Sequence, residues 1–319
     1  MKIALLSGWY DQEREVSLKS AKTWINFLKS AKEDIQVFIL PQDEKTILSY
    51  THHFDLIIPL IHWKGGEDWY IISKIKKLNP NIPYLFSSPQ AMKISFDKYL
   101  TNKIVQKLNL KIKVPYFEKA HFTTNIDDII KKFINYPQII IKPNQWGSSF
   151  DTFVLSTNDI DLTKKQIYNI LKRKNNTFLI QQFIPILNEF SASIFSDRDN
   201  NPFILGISHI QYKKAFFDYE AKYKGASIET HYLLPEFESN FGKKLTKIIK
   251  DDLLNIYKHL KISTLARIDF VQDFEGNLRF LEINTIPGFT RASIYPSVAK
   301  KYFWSLTSFW EAIKKLYSF

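Results

Sequence analysis

The stretch RFLEINTIPGFTRAS, Arg279 to Ser293, ends an apolar run on a carboxylate and an amide, then breaks at Pro-Gly. Side chains alternate along a strand, so Phe280, Glu282 and Asn284 are predicted to share one face, with Leu281 and Ile283 on the other. A carboxylate in such a half-buried place is costly unless something positive meets it. Upstream, LARIDFVQ (265–272) reads as a second strand, joined through the turn DFEG (273–276). In that hairpin Asp269 falls opposite Glu282, to within one residue of register, and Arg267 shares the face of Asp269. Asp269, Glu282 and Asn284 are then hard oxygen donors converging on one spot, a composition that suits Mg2+. The same two acids paired with Arg267 and Arg279 would make a structural ion-pair network, and spacing alone does not choose between the two.

Working outward, IIIKPNQWGSS (139–149) is a buried strand that ends at Lys142 beside a loop. There the backbone of Gly147 and the hydroxyls of Ser148 and Ser149 are suited to phosphate oxygens. One glycine is weak support, and alone the stretch reads as a surface turn. Lys98 lies in FDKYLTNK, where Met92, Phe96, Tyr99, Leu100, Ile104 and Leu108 form the stripe of a single helix. FLIQQFI (178–184) ends an apolar strand at the amides of Gln181 and Gln182, against which a flat purine has room to lie. An ordinary helix face and an ordinary strand end explain these two equally well.

At the other end of the chain, KIALLSG (2–8), IQVFIL (35–40) and FDLIIPLIH (54–62) read as buried strands. EREVSLKSAKTWINFLKSA (13–31) has helical spacing, and strand–helix–strand alternation predicts a parallel α/β unit. Its functional loops would be GWYDQERE and HWKGGEDW, at the strands' C-terminal ends. The expected organisation is an α/β unit over 1–88, a second α+β unit over 89–183, and a third over 184–319. The third holds the polar-aromatic loop FFDYEAKYKG and a helix from about Gly242 to Leu260.

Composition narrows the alternatives. With 45% hydrophobic and 15% aromatic residues the chain has material for sizeable cores. The net charge of +12 comes from lysines scattered through amphipathic segments without an Arg-rich stripe, which argues against a nucleic-acid footprint. The absence of cysteine removes disulfides, thiolate zinc sites and thiol nucleophiles. No apolar run approaches membrane-spanning length, and the one in MKIALLSG is too short for a signal peptide, so a cytoplasmic location is expected. No H-E-x-x-H, G-x-S-x-G or G-x-G-x-x-G occurs.

The order EREVS, GGED, MKISFDK, IKPNQWGSS, FDYEAKY, ARIDF, EINTIPG resembles the D-alanine–D-alanine ligase family of the ATP-grasp superfamily, across nearly the whole chain. The resemblance implies a Rossmann-like N-terminal domain followed by an ATP-grasp fold of two α+β domains. It implies ATP-dependent joining of two D-alanines through an acyl phosphate, for cell-wall precursors. Asp269, Glu282 and Asn284 would hold two Mg2+ ions, with Mn2+ as a substitute. Lys98, Lys142 and Lys222 would bind phosphates, Gln181 and its neighbour Gln182 the adenine, and Glu189 the ribose. Glu13 would meet the first amino acid's ammonium group, with His62 near its carboxylate. Arg267 and the N–H of Gly288 would stabilise the tetrahedral intermediate, and Ser293 and Ile294 would wall the second amino acid. Ser148 and Tyr223, with Glu13, would tie a lid loop to the first domain, and Tyr223 favours an amide product. The expected partners are D-alanine and ATP, without nucleic acid or membrane, in a homodimer.

The chain departs from that pattern in places. Family members carry small residues, mostly glycine, where this chain has Trp9, Trp63 and Trp69 in the loops of the first unit. These rings either pack together as a cap away from ligand or reshape the first amino-acid pocket. Asp151 follows the phosphate loop, where an acid repels triphosphate unless it points away. Gln181 replaces a usual glutamate. A ligase acting on a different amino acid or acceptor is the alternative reading.

Overall fold

The computed structural model describes residues 1–9, 13–145, 151–173, 177–212 and 227–317. Three strands, β1 (Lys2–Gly8), β2 (Asp34–Leu40) and β3 (Leu56–Pro59), form a parallel sheet in the order β2-β1-β3. β1 and β3 are buried as expected, whereas β2 is an edge strand that buries only Phe38 and Leu40. Helix α1 (Arg14–Ser30) covers it with Ser17, Ala21, Trp24 and Leu28, one residue per turn on a single face. Helices α2 (Glu44–Tyr50) and α3 (Tyr70–Leu78) complete this unit. Ser17 fixes where α1 starts: its hydroxyl donates to Leu60 O and accepts from Gly8 N at 2.9 Å, joining the ends of β1 and β3.

The single helix expected around Lys98 is two, α4 (Pro89–Phe96) and α5 (Lys98–Lys107). Asp97 divides them. It is extended (φ −89°, ψ 100°), and its carboxylate accepts from Leu100 N at 2.9 Å as the N-cap of α5. Apolar spacing runs on across the break, which is why periodicity did not reveal it, although Met92 and Ile104 serve different clusters and Leu100 is exposed.

Beyond them, β4 (Phe117–Ala120), α6 (Ile126–Phe133), β5 (Gln138–Pro143), β6 (Phe153–Ser156), α7 (Ile160–Arg173) and β7 (Phe178–Gln182) make an antiparallel sheet ordered β4-β7-β5-β6. Its core, including Phe133, Ile139, Ile141, Phe178 and Ile180, is a hydrophobic cluster of its own. A third sheet, β10-β9-β8-β11-β12, contains β8 (Ile186–Ser196), β9 (Pro202–Tyr212), β10 (Ser227–Tyr232), β11 (Leu265–Asp273) and β12 (Leu278–Asn284). The helix Lys243–His259 buries Ile249, Leu253, Ile256 and Tyr257 in a cluster shared with Ala91 of α4 and Val105 of α5.

The last helices, Ile294–Phe303 and Leu306–Leu316, return to the first unit. Trp310 meets Trp24 edge-on at 6.2 Å, and Phe289 lies 4.9 Å from Trp24, so one cluster joins the beginning and end of the chain.

Candidate active site

The hairpin that opened the argument has the expected pairing, with Asp269 opposite Glu282 and Arg267 opposite Asn284. Directly opposed residues point to one face, so these four side chains gather on one side of the sheet. One expectation needs correction. A bulge skips Leu281, so Phe270 pairs with Phe280 immediately after the Asp269–Glu282 pair. The extra residue shifts the alternation by one. Phe280 therefore joins Ile268, Phe270 and Ile283 in the core, away from Glu282.

The polar face opens on a cavity of about 770 Å3, ordinary for a small-molecule site. Arg267 forks onto Asp269, Nε to Oδ1 at 3.0 Å and Nη2 to Oδ2 at 2.8 Å. Ser191, fully buried on β8 and opposite Asp269, donates to Oδ1 at 2.6 Å. Lys98 Nζ stands 3.6 Å from Glu282 Oε2, placed there because α5 starts at the Asp97 break. That start is held by Asn144, whose backbone O accepts from Lys98 N (3.0 Å) and whose Oδ1 accepts from Tyr99 N (2.9 Å). In this state the positive partners are thus Arg267 for Asp269 and Lys98 for Glu282. Arg279 pairs instead with Asp273 at 3.2 Å, outside the proposed metal set.

Two carboxylates and an amide oxygen on adjacent ladder positions are a donor set that fits a hard divalent cation. Among the described residues no three His, Cys, Asp or Glu side chains cluster to hold one, so the third protein ligand would be the Asn284 amide. Its Oδ1 already accepts from Ile286 N at 2.9 Å, which fixes its direction while leaving a second lone pair.

The cavity brings together Glu13, His62, Lys98 and Glu189 with the hairpin residues. It also reaches Gly288, Ser293 and Ile294. Glu13 is buried and stands at the N-cap position of α1. His62 has both ring nitrogens engaged. Nδ1 is 3.1 Å from Ile286 O, a carbonyl that only accepts, so Nδ1 carries the proton. Nε2 is left to accept from Ser20 Oγ at 3.3 Å, and Ser20 in turn accepts from Phe289 N at 3.0 Å. Burial pushes the imidazole down to about 4, against the Ile286 hydrogen bond and helped by Arg267. His62 is therefore a neutral clamp between α1 and the loop carrying Gly288. At Gly288 a β-carbon would stand 3.1 Å from Ser293 Oγ, a tight contact to which the serine side chain would have to yield.

Lys142, Gln181 and Gln182 lie on the four-stranded sheet and do not line this cavity. Gln181 is 2% exposed, and its Nε2 has no hydrogen-bond partner among the described residues. Asp151 begins the turn before β6 with φ 53°. Ser148, Lys222 and Tyr223 lie outside the described residues.

Two acids in the cavity were not singled out from sequence. Glu67, the acid of GGED, is pushed up to about 8 by burial and then by Glu13 and Glu282, with Lys98 and Arg267 opposing. Glu229 on β10 is raised by burial and Asp269, against Arg267. The GGED motif was itself a signal for Glu67. For Glu229 no local signal exists, since the sheet order alone brings it there.

An α/β unit ahead of two antiparallel sheets, with acids and a lysine around one cavity, defines the class: the ATP-grasp enzymes. The solved D-alanine–D-alanine ligase of Bacillus anthracis matches with a TM-score of 0.79 over 100% of this chain and 97% of its own, at 26% identity. The VanG D-Ala:D-Ser ligase of Enterococcus faecalis has the same fold, with a TM-score of 0.78 over 99% of each chain at 23% identity. By sequence, the D-alanine–D-alanine ligase of Pelagibacter ubique (strain HTCC1062) is 32% identical over 94% of this chain and 92% of its own. Residues 105–314 match the family described as D-ala D-ala ligase C-terminus. The chain belongs to the D-alanine–D-alanine ligase family.

Proposed function

We propose that the chain joins two D-alanines to D-alanyl-D-alanine with ATP, supplying a precursor of the bacterial cell wall. The observation that carries this reading is the single cavity in which Lys98, Arg267, Asp269, Glu282 and Asn284 meet the buried Glu13. Phosphate-directed groups and an ammonium-directed carboxylate then face one another, as transfer of a phosphoryl group to an amino acid requires.

Glu13 holds the first D-alanine's ammonium group and so turns its carboxylate toward the nucleotide. A carboxylate oxygen attacks the γ-phosphorus, the bond to the β–γ bridging oxygen breaks, and ADP leaves. The second D-alanine's ammonium group gives one proton to solvent, its amine attacks the acyl phosphate's carbonyl carbon, and the second nitrogen proton leaves with the departing phosphate. Arg267 and the N–H of Gly288 stabilise the oxyanion that develops, and phosphate departs as the amide forms. Asp269 already holds the guanidinium of Arg267 by two hydrogen bonds, so the donor is aimed before substrate arrives. Asp269, Glu282 and Asn284 would hold Mg2+, which when bound offsets the negative charge of the phosphate oxygens. Gln181 and Glu189 suit the adenine and the ribose, while Lys142 extends the phosphate site from the four-stranded sheet. Neutral His62 keeps the Gly288 loop in place and adds no charge against the substrate carboxylate. The division into units 1–88, 89–183 and 184–319, a Rossmann-like first unit, a homodimer and a cytoplasmic location belong to the same reading.

The test is phosphate release with ATP, Mg2+ and a panel of D- and L-amino acids, with products identified by mass. D-alanyl-D-alanine as the main product is expected. Turnover only with another pair would replace the D-alanine reading by the second one, a ligase of the same mechanism for a different amino acid. The observation favouring that second reading is Trp63 in the cavity wall.

A further inference from the structure

Trp9, Trp63 and Trp69 all have left-handed backbone, with φ of 86°, 64° and 61°. A non-glycine residue in that region is strained, so each ring persists only where its contacts offset the strain. For two of them the contacts are internal. Trp9 lies against the backbone of Gly65, where any β-carbon would collide with its ring, and meets Tyr70 edge-on at 5.4 Å. Trp69 packs on the core of the first unit under the ammonium of Lys93, 5.2 Å from its ring centre. These two form the cap described as one alternative above.

Trp63 does not. It is 6% exposed and lines the cavity beside Glu13 and His62. Its loop is pinned on both sides. Asp68 N donates to Trp63 O at 3.3 Å, and Asp68 Oδ1 accepts from Gly65 N (2.9 Å) and Tyr70 N (3.2 Å). Gly66 sits so close to Ile61 O that a side chain there has no room. With Trp9 braced behind Gly65, the loop has nowhere to retreat, and the Trp63 ring is a fixed wall.

We infer that Trp63 determines specificity for the first amino acid. Its indole closes the side of that subsite and restricts the activated amino acid to a side chain of hydrogen or methyl size. The inference rests on reading the Glu13–His62 end of the cavity as the first subsite.

The test uses the full chain and its Trp63→Gly and Trp63→Phe variants, with ATP, D-alanine and either D-2-aminobutyrate or D-valine. Tandem mass spectrometry identifies the N-terminal residue of each product. In Trp63→Gly, kcat/KM for the larger amino acid at the N-terminal position should rise relative to D-alanine by about 10–200-fold per added methylene. The KM for ATP should stay within about twofold. Trp63→Phe keeps an aromatic ring in the buried site and should show a smaller shift in the same direction. An unchanged N-terminal residue in both variants, or entry of larger residues only at the C-terminal position, overturns the inference. The unsubstituted chain separates this failure from the other one. If it makes a different small-residue dipeptide and no D-alanyl-D-alanine, the D-alanine reading falls and the Trp63 comparison still decides its own question.

Discussion

His62 shows how one buried ring sets both position and charge. The unfolded chain binds its proton near pH 6.5, whereas the folded chain binds it only at about 4. Between those values the unfolded state holds more protons, so stability falls as pH falls. The loss is about 3 kcal/mol across this window, taking about 1.4 kcal/mol per unit. Urea midpoints measured at about pH 7 and pH 4 should show it, and His62→Gln should lose less over the same range. Equal losses in both proteins would mean that carboxylates alone govern the acid limb. Glu67 has the opposite sign. Held up to about 8 from an ordinary 4.5, it keeps its proton at neutral pH, so its contribution is fully present below about pH 4.5 and is lost as pH rises from there to about 8, which leaves the comparison with His62→Gln to isolate the histidine.

At the scale of elements, the break between α4 and α5 carries the nucleotide end of the site. Asp97→Ala removes the cap on Leu100 N and should cost about 0.5–2 kcal/mol. If the break also aims Lys98, the KM for ATP should rise more than the KM for either D-alanine. A pure stability loss with unchanged ATP kinetics would separate the cap from the lysine. Much of this level was legible beforehand. Alternation along 265–272 and 277–284 put Asp269 opposite Glu282, because a pleated ladder has period two and a tight turn leaves little freedom of register. The bulge at Leu281 was not legible, since nothing in the residues flanking it marks where one strand takes an extra residue. The helix break was hidden by a continuous stripe, although Asp97 itself was a readable cap. Strands β9 and β10 escaped attention altogether, and with them Glu229, whose place in the site depends on neighbours distant in sequence.

For the whole molecule, the decisive contact is between the two ends of the chain. Trp310 is fully buried against Trp24 and Phe27 and donates from its ring N–H to Glu33 at 2.9 Å. Trp310→Ala should therefore cost about 3–5 kcal/mol, read as a shift in the denaturant midpoint, and a change under about 1 kcal/mol would show that the cluster closes over the gap. The four-stranded sheet, with a cluster of its own, should be spared the first effects of that loss. The same closure has a meaning for synthesis. A ribosome delivers β1 and α1 almost three hundred residues before the helix that covers Trp24. Until Leu306–Leu316 has emerged, the first unit waits with an oily face uncovered, open to a chaperone or to sticky association with other chains.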